Sequence, residues 1–161
     1  MEDSGAELLE AVVGDRLRRA GLTLALAESC TGGLVAHRIT NIAGSSDYFL
    51  GGVVAYANAA KQTILGVSPD TLRRHGAVSE ETALEMARGA RRLLGADAAL
   101  AITGIAGPGG GSSDKPVGLV YVALSTADAE RCRRFVWAGD RLTNKQLSAD
   151  AALRLLLEYL T

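Results

Sequence analysis

The chain has 161 residues, a formal net charge of −1, 48% hydrophobic and 22% charged residues, a balance that can bury a real core and excludes a disordered chain. The near-neutral charge removes any global pull towards nucleic acid or an anionic membrane. No apolar run reaches the ~18 residues of a membrane span, and two cysteines with two histidines leave no cluster with metal-ligand spacing. The N-terminus opens with acids and lacks the basic and apolar regions of a secretory signal. With no disulfide framework either, a reducing cytoplasm is the expected compartment.

Residues 1–5 read as a tail on a single domain spanning 1–161. From Ala6 to Ala20, Leu8, Leu9, Val12, Val13 and Leu17 recur at helical spacing, and Gly21 is a good stop. Leu22 to Ala27 predicts a short apolar strand. Glu28-Ser29-Cys30-Thr31-Gly32-Gly33 breaks it, and Leu34, Val35, Ile39 and Ile42 form a second helical stripe. A polar turn over 43–47 precedes a strand predicted from Val53 to Tyr56. Asn58 is placed to cap a helix carrying Lys61, Ile64 and Leu65 and ended by Gly66.

Ser68-Pro69-Asp70 starts a further short helix, with Gly76 beyond its end. Ser79 caps the next one, whose first turn holds Glu80 and Glu81 and whose stop is Gly95. Ala98 to Thr103 is almost continuously apolar, as suits a strand covered on both faces. A Gly-rich stretch over 104–113 follows. Val117 to Ser125 and Arg131 to Trp137 predict a strand pair, the second with Arg131, Arg133 and Arg134 among apolar residues as an edge strand should have. A last helix carries Leu147, Ala151, Leu155, Leu156 and Tyr159. This alternation predicts a three-layer αβα sandwich with a largely parallel central sheet and an antiparallel strand pair near the C-terminus.

In such folds ligands collect beyond the carboxyl ends of the strands, where three unusual segments fall: Glu28 to Gly33, Tyr56 to Lys61, and Thr103 to Ser113. Familiar templates fail on them. No Lys follows a Gly, as a P-loop needs. The Gly-rich run leads into Lys115-Pro116 instead of a helix, unlike a dinucleotide fingerprint. Ser29 has Ala27 and Thr31 where a lipase-type elbow needs glycines.

At Ser29 two readings stay open. Ser29 or Thr31 caps the following helix, or the free N–H groups there bind an anion and Ser29 is a nucleophile. A serine nucleophile needs a base. The chain has three lysines, Lys61, Lys115 and Lys145, among 17 basic residues. Lys61 is either a solvated surface residue or a base, because lysine, unlike arginine, can lose its proton when desolvated. It would also sit in a first helical turn, where the macrodipole disfavours a cation. The glycines from Thr103 to Gly111 form a backbone cradle for an anion or a plain surface loop. Arg141 serves an anionic ligand or pairs with Asp140. Cys30 is a buried thiol or a rival nucleophile.

Taken in order, Ala27-Glu28-Ser29-Cys30-Thr31-Gly32-Gly33, Gly51-Gly52-Val53-Val54-Ala55-Tyr56-Ala57-Asn58 with Lys61, and Leu65-Gly66-Val67 are followed by further matching motifs. These are His75-Gly76-Ala77-Val78-Ser79-Glu80, Thr103-Gly104-Ile105-Ala106-Gly107-Pro108-Gly109-Gly110, Lys115-Pro116-Val117-Gly118 and Gly139-Asp140-Arg141. Over about residues 6–160 the chain resembles the C-terminal domain of the competence/damage-inducible CinA proteins, the nicotinamide-nucleotide amidases. The resemblance implies deamidation of nicotinamide mononucleotide to nicotinate mononucleotide and ammonia without metal or cofactor. Ser29 would be the nucleophile, Lys61 its base, and Tyr56 and Thr103 supports of the site. The implied substrate contacts are Cys30, Thr31, Gly32, Gly33, Asn58, Thr103, Gly104, Ala106, Gly107 and Arg141. The resemblance also implies a homo-oligomer, a dimer or larger, with a pyridine mononucleotide as its small-molecule partner and neither nucleic acid nor membrane.

Two departures stand out. Lys145 occupies a position where the family often has arginine, and the larger N-terminal domain of full-length CinA proteins is missing, as expected of a stand-alone or excised amidase domain. The alternative, from a different class, is a catalytically silent nucleotide-binding or regulatory module.

Overall fold

Large aliphatic side chains alternate with alanine along the middle strands, and that difference in size sets the layers. The structure, a computed structural model, describes residues 7–161; the expected tail at 1–5 lies outside them. Its strands are β1 (Leu24–Glu28), β2 (Phe49–Val54), β3 (Ala98–Gly104), β4 (Leu119–Thr126) and β5 (Glu130–Val136), in the order β2-β1-β3-β4-β5. β1 runs parallel to both β2 and β3, whereas β4 is antiparallel to β3 and to β5. Only β4 therefore points against the rest, which gives the largely parallel sheet with antiparallel pairing at the C-terminal side.

One face presents Leu24, Leu26, Leu100, Ile102, Val122 and Leu124 to the buried sides of α1 (Leu9–Ala20), α2 (Leu34–Thr40) and α6 (Arg141–Leu160). The other face presents Ala25, Ala27, Ala99, Ala101 and Ala123 to α5 (Glu80–Leu94), beside which lie α3 (Asn58–Leu65) and α4 (Pro69–His75). Small residues on both sides of this contact, including the fully buried Ala83, Ala87 and Ala90, let α5 approach the sheet closely.

Gly89 of α5 extends the close contact to α3. A Cβ there would stand 1.9 Å from the carbonyl oxygen of Leu65. Backbone cannot retreat from that clash as a flexible side chain could. Gly89→Ala is expected to destabilise the fold by ~3 kcal/mol, read from the midpoint of urea unfolding, and to shift α3, which carries Lys61.

Several boundaries differ from the sequence expectation. β1 starts at Leu24, because Thr23 is held outside the strand by Asp97, whose Oδ2 accepts from its N–H at 2.9 Å and its hydroxyl at 3.0 Å. β2 runs earlier than Val53–Tyr56 and continues through Gly51 and Gly52, with a register shift at Leu50 just before them. Gly52 faces Leu26 across the ladder, and a Cβ on it would lie 3.3 Å from Leu26 Cβ, so this glycine permits close strand packing instead of ending the strand.

The residue capping α3 is Ala57, without a side-chain bond. Asn58 is the first helical residue, and its side chain is not used as the expected cap. Asp140 caps α6, its Oδ1 accepting from the N–H of Thr143 at 2.8 Å, so it does not pair with Arg141. On the edge strand β5, Arg133 pairs with Glu158 across to α6. Among the described residues, no helix is long and apolar enough to cross a membrane, and no three His, Cys, Asp or Glu side chains converge as metal ligands would.

Candidate active site

The carboxyl ends of β1, β2 and β3 lie side by side, and the residues just beyond them are fixed by extensions of the same ladders. Ser29 N–H donates to Ile102 O at 2.9 Å and Ala55 N–H to Glu28 O at 2.9 Å. Ser29 is thereby pinned between β3 and the end of β2. Its carbonyl accepts from Gly32 N–H at 3.1 Å, closing a turn that leads into α2. Gly32 and Gly33 both have positive φ, 61° and 103°, a backbone that side-chain-bearing residues adopt only with strain.

Glu28 explains how the turn is held. It is 1% exposed, and its Oε1 accepts from the Thr31 hydroxyl at 2.7 Å and from Val35 N–H at 2.9 Å, while Oε2 accepts from Ala36 N–H at 3.0 Å. A buried carboxylate thus satisfies the orphan donors at the start of α2, a task usually left to a capping residue next to the helix. Hydrogen bonds to a charged group are stronger than neutral ones, and removing the acceptor leaves buried donors unpaired. Glu28→Ala is expected to lower stability by about 2–4 kcal/mol in urea unfolding.

Lys61 enters from α3. The residue is 1% exposed, a rare environment for lysine. Nζ lies 3.0 Å from Ser29 Oγ, 2.9 Å from Ala55 O and 3.0 Å from Tyr56 O, and no carboxylate pairs with it among the described residues. Burial therefore pulls its pKa below the ordinary lysine range. The three neighbours surround a tetrahedral nitrogen in either protonation state. As an ammonium it donates to all three; as an amine it donates to the two carbonyls and turns its lone pair to the Ser29 hydroxyl. Proton exchange between Oγ and Nζ thus needs no heavy-atom movement.

These groups open on a cavity of about 270 Å³ lined by Ser29, Cys30, Tyr56, Asn58, Lys61 and Thr103, together with backbone of the Gly-rich loop including Gly104, Ala106 and Gly107, and by Arg141 at its rim. Thr103 donates its hydroxyl to Ala77 O at 2.8 Å, tying the end of β3 to the segment before α5. A Cβ at Gly104 would meet Val120 Cγ2 at 2.6 Å and Leu119 O at 2.7 Å, so only glycine fits where the loop leaves the sheet.

The loop is strapped down by α6. Asn144 Nδ2 donates to Ala106 O at 3.0 Å and Gly139 O at 3.0 Å, and Arg141 Nη1 donates to Gly107 O at 2.7 Å. Arg141 Nη2 also donates to the Tyr56 hydroxyl at 3.1 Å.

Some expected residues stand elsewhere. Thr31, Gly32 and Gly33 do not line the cavity. The Thr31 hydroxyl is engaged by Glu28, and the two glycines shape the turn behind Ser29. The phenol of Tyr56, 62% exposed, meets Arg141 at the rim instead of the Ser29–Lys61 pair, which Tyr56 touches through its backbone carbonyl. Lys145 Nζ comes down beside Gly32, outside the cavity wall. Cys30 is buried and its thiol is pushed up to about 12 by that burial, so at neutral pH it is not the thiolate that nucleophilic attack requires. The Ser29 hydroxyl, by contrast, is hydrogen-bonded to Lys61 Nζ. Glu28 and Asn144 were not singled out from sequence; a charged residue ending an apolar strand, and an amide four positions after a capping aspartate, were the available signals.

Comparisons with known proteins bear on the family and the fold. The family model described as "CinA C-terminal domain" matches residues 6–160. A CinA-like protein of Salinibacter ruber is 54% identical over 150 residues, covering 93% of this chain and 36% of that protein. A CinA-like protein of Syntrophobacter fumaroxidans is 54% identical over 155 residues, covering 96% and 37% respectively. The chain therefore spans little more than a third of the length of these curated relatives. Among solved structures, the competence/damage inducible protein CihA of Agrobacterium tumefaciens superposes with a TM-score of 0.92 at 40% identity, covering 95% of this chain and 96% of that one. The competence damage-inducible protein A (ComA) of Klebsiella pneumoniae gives 0.92 at 38% identity, covering 94% of each chain. With the family model matching residues 6–160 and a solved structure superposing over 95% of its length, the chain belongs to the CinA C-terminal domain family.

Proposed function

We propose that this chain is an amidohydrolase that deamidates nicotinamide mononucleotide to nicotinate mononucleotide and ammonia. The observation that carries the reading is the buried Lys61 amine 3.0 Å from the Ser29 hydroxyl with no acid partner among the described residues, an arrangement suited to taking the proton of that hydroxyl. Ser-Lys pairs are an established variant of acyl-transfer catalysis. Lys61 takes the Ser29 proton as Oγ attacks the carboxamide carbon, and the carbonyl oxygen becomes an oxyanion. The resulting Lys61 ammonium returns that proton to the departing nitrogen, the C–N bond breaks and ammonia leaves. A water then attacks the acyl-serine ester with Lys61 again as base, releasing the carboxylic acid and restoring the hydroxyl.

Arg141 supports a phosphate-bearing substrate. It stands at the cavity rim, and its guanidinium is held by one carbonyl and one phenol, neither of them an anion, so its charge is available to a phosphate. The test is ammonia release from nicotinamide mononucleotide with chromatographic identification of nicotinate mononucleotide. Turnover supports the amidase. Calorimetric binding of the mononucleotide without product would instead make the chain a nucleotide-binding module.

A further inference from the structure

A second polar cavity lies at the opposite end of the sheet. In the β3–β4 ladder Ser125 faces Ala99, and Gly104, where β3 reaches the catalytic cavity, is five positions further on, or about 17 Å at the strand rise. The cavity has a volume of about 390 Å³ and is lined by Arg88, Arg91 and Arg92 from the last two turns of α5, by Gly95 and Ala96 after it, and by Ser125 and Glu130 of the strands. Its size falls in the ~300–1,000 Å³ range of small-molecule sites.

Charge and hydrogen bonding define what fits there. Arg88 Nε meets both carboxylate oxygens of Glu130, at 3.0 and 2.8 Å, so these two charges cancel locally. Arg91 donates to Thr126 O at 2.9 Å, a neutral acceptor, and neither Arg91 nor Arg92 has a carboxylate partner among the described residues. Two guanidinium groups are thus left without a carboxylate, balanced only by the partial negative charge at the C-terminus of α5. Ser125 is 1% exposed, lines this cavity, and its Oγ has no hydrogen-bond partner among the described residues. Leaving a buried hydroxyl without a partner is unfavourable, and this one lines the same cavity as Arg91 and Arg92.

We propose that this cavity binds a phosphate monoester. A phosphate group carries about −1.5 to −2 charge at pH 7 with several strong acceptor oxygens. Those match the two guanidinium groups, their fork geometry and the Ser125 hydroxyl. The space beyond one phosphate takes the organic part of the ester. The site is separate from the Ser29–Lys61 cavity and does not rest on the activity proposed for it.

The test is a titration of the ¹⁵N-labelled protein with inorganic phosphate and with glycerol 3-phosphate, each against chloride at matched ionic strength. Expected are saturable amide shifts at Gly95, Ala96 and Ser125, with the ester binding at least as tightly as the free ion. Arg92→Gln is expected to weaken the dissociation constant about tenfold and Ser125→Ala severalfold. Both variants should fold, since Arg92 is exposed and the Ser125 hydroxyl bonds no group among the described residues. Shifts confined to 104–110 would assign the anion to the catalytic cavity and overturn the proposal. So would shifts reproduced by chloride, affinity unchanged in both variants, or an ester that binds ten times more weakly than inorganic phosphate.

Discussion

Ser29→Ala is expected to lower ammonia release from nicotinamide mononucleotide by ~10³-fold or more while the urea midpoint moves little. The magnitude follows from the loss of the covalent route, which leaves only binding and electrostatic stabilisation. The small stability change follows from the contacts. Ser29 is held by its backbone, through Ile102 O and Gly32 N–H, and alanine keeps both bonds. Its hydroxyl contributes one bond to Lys61, and the Lys61 nitrogen retains the carbonyls of Ala55 and Tyr56. A binding isotherm measured in parallel should show the mononucleotide still bound. Activity undiminished in this variant would remove Ser29 from the chemistry. Cys30 is then a poor substitute, because its thiol stays protonated up to about 12.

The parts of this arrangement that sequence exposes are those governed by local rules. Gly21, Gly66 and Gly95 end their helices in the left-handed conformation, with φ of 68°, 71° and 64°, and each was readable as a stop. The charged residues of β5 marked an edge strand. The proximity of Ser29 and Lys61 was legible only indirectly, from two segments each following a strand in a fold that aligns strand ends. What was hidden depends on contacts across the chain. Gly51 and Gly52 look like breakers until Leu26 is known to pack over Gly52. Glu28 looks like the end of a strand until α2 folds back onto its carboxylate, and Asn144 looks like an ordinary helical amide until the loop reaches it. The glycine turn at 31–33 drew attention as an anion site because free N–H groups gather there, yet Glu28, three residues before Thr31, already serves that helix start. The Tyr56 phenol points to Arg141 because α6 delivers a guanidinium to the rim, and no local rule connects residues 85 positions apart.

A lysine that acts as a base must lose its proton, and that requirement ties activity and stability to pH in a definite sense. Burial lowers the pKa of Lys61 in the folded protein, whereas in the unfolded chain it returns to about 10.4. Below the folded value both states hold the proton, and the folded state bears the whole cost of a buried ammonium. Between the two values the unfolded state binds more protons, so the stability of the wild type rises with pH by up to about 1.4 kcal/mol per unit from this group. Lys61→Met keeps an unbranched side chain of similar length but cannot titrate. The stability of the wild type relative to this variant is therefore expected to increase between pH 7 and 10.5 in urea unfolding, other titrations cancelling in the comparison. Over the same range kcat/KM of the wild type should rise as the amine is freed and level off below the ordinary lysine range, while Lys61→Met stays inactive throughout. A relative stability that does not change with pH would mean that Lys61 keeps its usual proton affinity inside the fold, and the pairing with Ser29 would then lack its base.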